Sequence, residues 1–493
     1  MFFLHTFHKN TLLKNGYPEV GLTKTETGKH NRLQQLVIAR ATGRTIKNRS
    51  EPLNSTIETG PSIKNPHAHS PLCGYSQRRI AFHHAGQFIG KFSDQLFLFV
   101  MIWYLLTKTH SATQVGIFLL CGTIPAAIIS PFGGIITARY QWQKLLAALN
   151  LFRCILVLII AGLFYNQSIS IWMLDVGAAI LALGGAFYNP TNAYILPGML
   201  TPGHSTTAIT HQFWMNAGAL TGVLAGGFFY HFPGISFILM MCAMAYMVAA
   251  LLECWFPMPT AEATTAVCNS GQLPFHRIIG RSTLIPTLRT GFDDPGGHRQ
   301  LFPMMSVFLL VNLLIWTLLL IFIPYVFKII IKLSALELAL AQGAYWAGVV
   351  IGITVITIEP PKERLKSMLL KSYICIAILT LLLALPLLPE VKTSLTVWSV
   401  TMIYIILAIF LGLVNVAVNL RMGVFLHTLI GPDFRDRIWA WFGSILAFGG
   451  SLGFLIGGCL TQTVPVYWLF IGNAVGIVLL IAVMAQLSWQ EMN

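Results

Sequence analysis

The sequence predicts an all-α polytopic membrane protein, with about twelve transmembrane helices in two pseudo-symmetric six-helix bundles. Three observations predict it. The chain of 493 residues is 55% apolar and only 10% charged, with mean hydropathy +0.71, a balance foreign to a water-soluble domain. Apolar runs long enough to cross a hydrocarbon core about 30 Å thick recur along the chain, separated by polar punctuation. Basic residues gather in alternate loops, as they do on the cytoplasmic side of membrane proteins.

Residues 1–79 are polar and basic without sustained periodicity. They cannot bury enough apolar surface to offset their ordering entropy and read as a disordered extension. Two origins stay open: a flexible tail, or sequence upstream of the true start. Residues 80–255 hold the first bundle, with spans Phe88 to Leu106, Val115 to Ile136, Leu145 to Tyr165, Ile171 to Phe187, Ile209 to Phe229 and Ile235 to Trp255. Residues 256–303 are rich in Pro and Gly, including Pro257, Pro259, Gly296 and Gly297, and read as a central cytoplasmic loop. Residues 304–493 hold the second bundle, with spans Met304 to Phe327, Ala335 to Ile356, Met368 to Leu388, Thr396 to Val416, Ile438 to Cys459 and Val464 to Met484. Soluble buried helices could imitate one or two such runs, but a series of them would need an implausibly large core.

The net charge of +14 reports orientation rather than a nucleic-acid partner. With the amino terminus inside, the inner loops carry Arg139, Lys144, Arg277, Arg281, Arg289, Arg299, Lys362, Arg364, Lys366, Lys371, Arg421, Arg435 and Arg437. The outer loops carry Lys108, Lys328, Lys332 and Lys392. Both termini are therefore expected in the cytoplasm, with the protein in the inner (plasma) membrane. The cysteines fall within spans or inner segments without CxxC or His-rich spacing, so neither disulfides nor a structural metal are expected. There is also no nucleotide-binding Gly-Lys loop and no nucleophile with a placed base. The chain does not read as an enzyme, and no cofactor is expected.

Ionisable side chains inside a membrane are costly and usually face a cavity or a partner, which singles out Asp94 in the first span and Arg153 in the third. At 1.5 Å per residue, Asp94 lies about 9 Å and Arg153 about 12 Å from the inner ends of their spans, depths that allow pairing if the helices adjoin. Breaking such a pair leaves a carboxylate in a low-dielectric site, where it takes up a proton. The alternative is a static pair tying the two spans together. Lys91 is expected to snorkel inward. His211, near the inner end of the fifth span, is a secondary proton candidate, with an interfacial hydrogen-bonded His as its alternative. Asp175, Glu253 and Glu337 sit near span ends and read as interfacial.

Gly218, Gly222, Gly226 and Gly227 recur at helical spacing in the fifth span, where small residues let neighbouring helices approach. Aromatic residues Trp103, Tyr104, Phe213, Trp214, Trp316, Tyr345 and Trp346 could line a cavity for an apolar or cationic molecule, or face lipid. A weak internal repeat at an offset of 230 matches Asn189 with Asn419, Leu196 with Leu426, Pro202 with Pro432 and Gly227 with Gly457. Parallel repeats are what rocking-bundle transporters are built from.

Four segments carry a family resemblance: QFIGKFSDQLFLF in the first span, SPFGGIITARYQWQKLL after the second, AFYNPTNAYILPGML after the fourth and GPDFRDRIWAWFGS before the eleventh. From Gln87 to about Met484 the chain resembles the major facilitator superfamily, and within it bacterial exporters of the macrolide-efflux and enterobactin-exporter kind. The family's loop between spans two and three runs Gly, three residues, Asp, Arg. Here Gly134 is followed by Ala138 at the Asp position and then Arg139. The resemblance implies that this loop latches the halves on the cytoplasmic side; without the Asp, a replacement pairing of Arg139 with Asp433 or Asp436 is expected, against solvated loop charge as the alternative. The glycines of the fifth span look like the family's antiporter motif, with Gly222-Val223 where it has Gly-Pro.

The resemblance implies a monomeric secondary transporter in the lipid bilayer, with proton-coupled efflux of a hydrophobic or amphipathic small molecule by alternating access. Two other readings stay open. QFIGKFSDQLFLF and the stretch from Gly222 also look like the superfamily's lysophospholipid transporters, and the altered loop at Ala138 leaves room for a non-transporting receptor or scaffold.

Overall fold

The computed structural model describes residues 77–129, 142–199, 206–230, 234–255, 301–358, 365–392, 396–429 and 432–486, all within one compact unit, Ser70–Asn493. Residues 1–76 and 256–300 lie outside the described residues, as do Gly134, Ala138 and Arg139.

The helices in chain order are α1 (Gln77–Thr109), α2 (Ala112–Ile129), α3 (Trp142–Tyr165), α4 (Ile171–Met199), α5 (Thr206–Phe229) and α6 (Ile235–Trp255). They continue with α7 (Leu301–Thr317, extended to Ile330), α8 (Ala335–Ile358), α9 (Leu365–Ala384), α10 (Val397–Leu429), α11 (Pro432–Thr463) and α12 (Val466–Gln486). Each expected span has its helix. Among the described residues, nine helices are long and apolar enough to cross a membrane. The others are α4, whose apolar part Ile171–Phe187 is shorter, α5, which carries Thr, His, Gln and Asn, and α11, which opens on Asp433, Arg435, Asp436 and Arg437.

Local chemistry explains the helix ends and breaks. Pro432 opens α11, where a missing N–H costs nothing, so the helix starts before the expected Ile438 and takes in Asp433 and Asp436. At the start of α8, Glu337 caps the helix end, its Oε2 accepting from the Ser334 N–H at 3.0 Å and from the Ser334 hydroxyl. Gly234, at φ 101°, occupies the left-handed region just before α6. Pro125 deprives the Cys121 carbonyl of its helical partner, and the chain turns at Gly122–Thr123 within α2. Pro324 acts likewise on α7, where wide π turns at Leu318–Phe322 and Val326–Ile330 flank the short α-helical piece Ile323–Tyr325.

Packing repeats with a period of six helices. In the first bundle α1 packs on α5 and α6, α3 on α6 and α4, and α2 on α4; in the second, α7 packs on α11 and α12, α9 on α12 and α10, and α8 on α10. The bundles meet along two seams related by the same period, α5 against α8 and α11 against α2. Outward faces stay apolar: Ile159 on α3, Met244 on α6, Ile378 on α9, Ile406 on α10 and Leu479 on α12 are each more than half exposed, as lipid-facing side chains are.

Glycines set the close approaches. A Cβ on Gly218 or Gly222 would press into the Phe88 or Phe92 carbonyl oxygen of α1, and one on Gly226 would come within 2.7 Å of Phe99. Gly227 instead faces the second bundle, at Ala335 and Ala339 of α8. The second bundle reproduces this division: Gly457 faces Thr317 of its own α7, while Gly458 faces Ala112 of α2 across the seam. By contact, then, Gly226 and Gly227 correspond to Gly457 and Gly458, one residue displaced from the register that matched Gly227 with Gly457.

Candidate functional site

For orientation, the near end of the first bundle is where α1 begins and α6 ends; the far end is where α1 ends and α2 begins. Midway along α1, the structure brings the two intramembrane charges together. Arg153 Nη1 of α3 donates to Asp94 Oδ1 at 3.3 Å, and the hydroxyl of Tyr246 on α6 donates to the same oxygen at 2.6 Å. Lys91 Nζ lies 4.0 Å from Asp94 Oδ2, one helical turn away, so it reaches toward Asp94 rather than only to the interface. The Arg153 guanidinium also lies 5.9 Å from the Tyr246 ring centroid and runs past Gly184 and Gly185 of α4. Three helices thus hold one carboxylate, and α4 flanks its arginine. The Arg153 side chain is 7% exposed and that of Asp94 30%, so the pair is anchored on the buried side and open at the carboxylate.

Closer to the near end is a second ionisable cluster. His83 Nδ1 lies 3.3 Å from Glu253 Oε2, and Gln87 Nε2 donates to Glu253 Oε1 at 3.3 Å. The His211 ring stacks on His83 with centroids 6.0 Å apart and lies 5.7 Å from His84. All five side chains are buried. Glu253 is therefore not interfacial as expected, because α6 turns it inward against α1. His211 likewise sits among histidines rather than at a solvated helix end.

Among the described residues, the polar side chains that the second bundle buries are neutral. Asn415 Nδ2 donates to the Tyr345 hydroxyl at 2.7 Å, and Asn419 in turn donates to Asn415. Gln342 Nε2 donates to the Leu319 carbonyl at 2.9 Å, and Asn473 Nδ2 to that of Leu314 at 3.0 Å. Trp316, Tyr345 and Trp346 form an aromatic cluster with centroids 5.4 to 6.3 Å apart, and both tryptophans are partly exposed.

Polar contacts between the bundles run from mid-seam to the far end. Gln462 donates to the Ser111 hydroxyl at 2.9 Å, the Thr113 hydroxyl to the Gly458 carbonyl at 3.0 Å, and the Thr123 and Ser451 hydroxyls share a bond of 2.5 Å. Lys328 of α7 sits 4.5 Å above the Trp103 ring of α1. Trp103 is thus buried beneath a lysine, not exposed to lipid. Of the latch candidates, Gly134 and Arg139 lie outside the described residues, as do the side chains of Asp433 and Asp436.

Asp94 and Arg153 were legible because charge is rare in apolar spans. His83, His84 and Tyr246 were not singled out, and Glu253 was read as interfacial, although a polar spacing on α1, at 83, 87, 91 and 94, carries the signal.

Two repeated bundles of largely apolar helices, meeting along two symmetric seams, define a polytopic helical membrane protein. Residues 84–427 match the family model of the Major Facilitator Superfamily, and the chain belongs to that family, a family of transporters rather than enzymes. Macrolide efflux protein A of Streptococcus pyogenes is 24% identical over 123 residues, 25% of this chain and 30% of that protein. The Staphyloferrin A transporter of Staphylococcus aureus (strain NCTC 8325 / PS 47) is 27% identical over 172 residues, 34% of this chain and 41% of that protein. The matched stretches thus cover less than half the length of these relatives. The crystal structure of the nucleoside transporter NupG superposes with a TM-score of 0.59 at 13% identity, over 84% of this chain and all of that one, a likeness of fold.

Proposed function

We propose that this transporter exports a hydrophobic or amphipathic small molecule by proton-coupled alternating access, with Asp94 as the group that exchanges a proton. The observation that carries the reading is the Asp94 network: one partly exposed carboxylate held by Arg153 and Tyr246 from two other helices. Buried charge of this kind is expensive to keep and marks ion pathways in membranes. Substrate-driven breaking of the pair removes the guanidinium, and the carboxylate left behind takes up a proton. Two partly exposed tryptophans beside Tyr345 supply an apolar, π-rich surface in the second bundle for the substrate. A relative named for macrolide efflux supports the direction, and one named for staphyloferrin A transport widens the range of cargo.

The distribution of Lys and Arg among the loops supports the inner (plasma) membrane with both termini, and therefore the near end, in the cytoplasm, and we take the monomer as the working unit. On that side Arg139 would pair with Asp433 or Asp436 when the halves close; transport lost in Arg139→Asp and regained with Asp433→Arg or Asp436→Arg supports the latch, and no recovery with either partner ends it.

The test is flux in liposomes containing the purified protein, with hydrophobic cations and lysolipids as candidate cargo and internal pH as the second readout. Cargo-driven proton movement in the wild type that vanishes in Asp94→Asn is the expected result. Cargo flux without a pH signal, unchanged in Asp94→Asn, would indicate a uniporter or lipid translocator and overturn the coupling role.

A further inference from the structure

The near-end cluster has chemistry that the transport cycle above does not use. His83, His84, His211 and Glu253 come from three helices and are each at least 94% buried, with exposures of 5%, 5%, 6% and 4%. Both ring nitrogens of His84, and Nδ1 of His211, are buried without a hydrogen-bond partner. Leaving such an atom unmet costs about 1–3 kcal/mol, so the arrangement holds groups ready for something that arrives.

The charge inventory identifies what arrives. On α1 the ionisable groups facing the cluster are His83 and His84, with Lys91 and Asp94 farther along the helix; on α5 there is His211; on α6 there are Glu253, with exposed Cys254 beyond it. One carboxylate balances one imidazolium, so the four groups accept a single proton without net charge. Among the described residues no His, Cys, Asp or Glu grouping has the geometry of a metal site, which leaves the proton as the ligand that fits.

The cluster is also in line with Asp94. His83, Gln87, Lys91 and Asp94 follow one another along one face of α1 at spacings of a single turn. The antiparallel α6 matches them, placing Glu253 opposite His83 and Tyr246 opposite Asp94. Eleven residues separate the two stations, about 16 Å of helix.

We propose that His83, His84, His211 and Glu253 form a proton-binding site at the near end of the first bundle that loads Asp94. The proton comes from water, adds to an imidazole lone pair beside Glu253, and leaves by way of water along the α1–α6 face to the Asp94 carboxylate. The loading role rests on the proton-coupled reading of Asp94; proton binding by the cluster does not.

Proton uptake by the full chain in nanodiscs, titrated in unbuffered solution from about pH 8 to about pH 5, tests the binding. Wild type should take up about one proton per chain more than Glu253→Gln, and about one more than His83→Asn/His84→Asn/His211→Asn. Asp94→Asn should keep the cluster's proton. Equal uptake by wild type and whichever of the two cluster variants folds, judged by a single sharp elution profile, overturns the site. In liposomes, Glu253→Gln should slow proton-driven flux about tenfold. A variant that has lost the proton yet transports at the wild-type rate overturns the loading role. If Asp94→Asn leaves coupled flux intact while the cluster still titrates, the Asp94 reading fails and the proton site stands.

Discussion

Both bundles bury polar side chains where their helices meet, yet they do it with different chemistry. Among the described residues, the buried acidic, basic and histidine side chains are His83, His84, Arg153, His211 and Glu253, all in the first bundle. The second bundle buries Asn312, Gln342, Asn415 and Asn473, amides whose charge does not change with pH. Pseudo-symmetry of the backbone therefore does not extend to the polar interior. Neutral amides hold one geometry at every pH, whereas carboxylate–imidazole and carboxylate–guanidinium contacts change strength with each proton. One bundle has a polar interior that can respond to pH, and the other one that does not.

Arg153→Ala should give the largest effect on this contrast. It removes a partner from a buried charge pair and should destabilise the protein by roughly 3 kcal/mol, read as the thermal midpoint in detergent. Adding Asp94→Asn should recover most of the loss, and a single variant as stable as wild type would mean that solvent already screens the pair. Next come the glycine contacts, where the bundles agree. Gly222→Val inside the first bundle and Gly458→Val across the seam should each cost about 1–3 kcal/mol by overpacking. Unequal losses beyond that range would show that the seam yields where the bundle does not.

Asn415→Leu strips the Tyr345 hydroxyl of its donor and should cost about 1 kcal/mol. Its penalty should be the same at pH 5 and pH 8, while that of Glu253→Gln should differ between the two; matching pH profiles would break the contrast between the bundles. The smallest effect is expected of Lys328→Met, about 0.5–1 kcal/mol from the lost contact with Trp103, seen as faster thiol labelling of a cysteine placed at Ser111.

Most of the fold was legible in the sequence, because a membrane span must satisfy its backbone internally and advertises itself as an apolar run. Asp94 and Arg153 were visible for the same reason, as exceptions within such runs. Glu253 misled because its burial depends on which way α6 rotates, and two residues from a helix end nothing in the sequence reports rotation. His83 and His84 precede the apolar run at Phe88, but α1 begins at Gln77, so they lie inside the bundle. The glycines of α5 could be seen to allow close packing but not to divide it, three toward α1 and one toward the other bundle.

The two π turns of α7 set where its last residues point. Each wide turn carries about one residue more than an α-helical turn and swings everything after it by about 100°. Lys328 lies beyond the first of these turns and within the second, where it meets Trp103. The far-end contact between the bundles is thus addressed by chain length as well as by side-chain identity. Shortening α7 by one residue near Ile321 would leave a helix of nearly the same composition, still able to span the bilayer, with its lysine turned away from the aromatic ring it now covers.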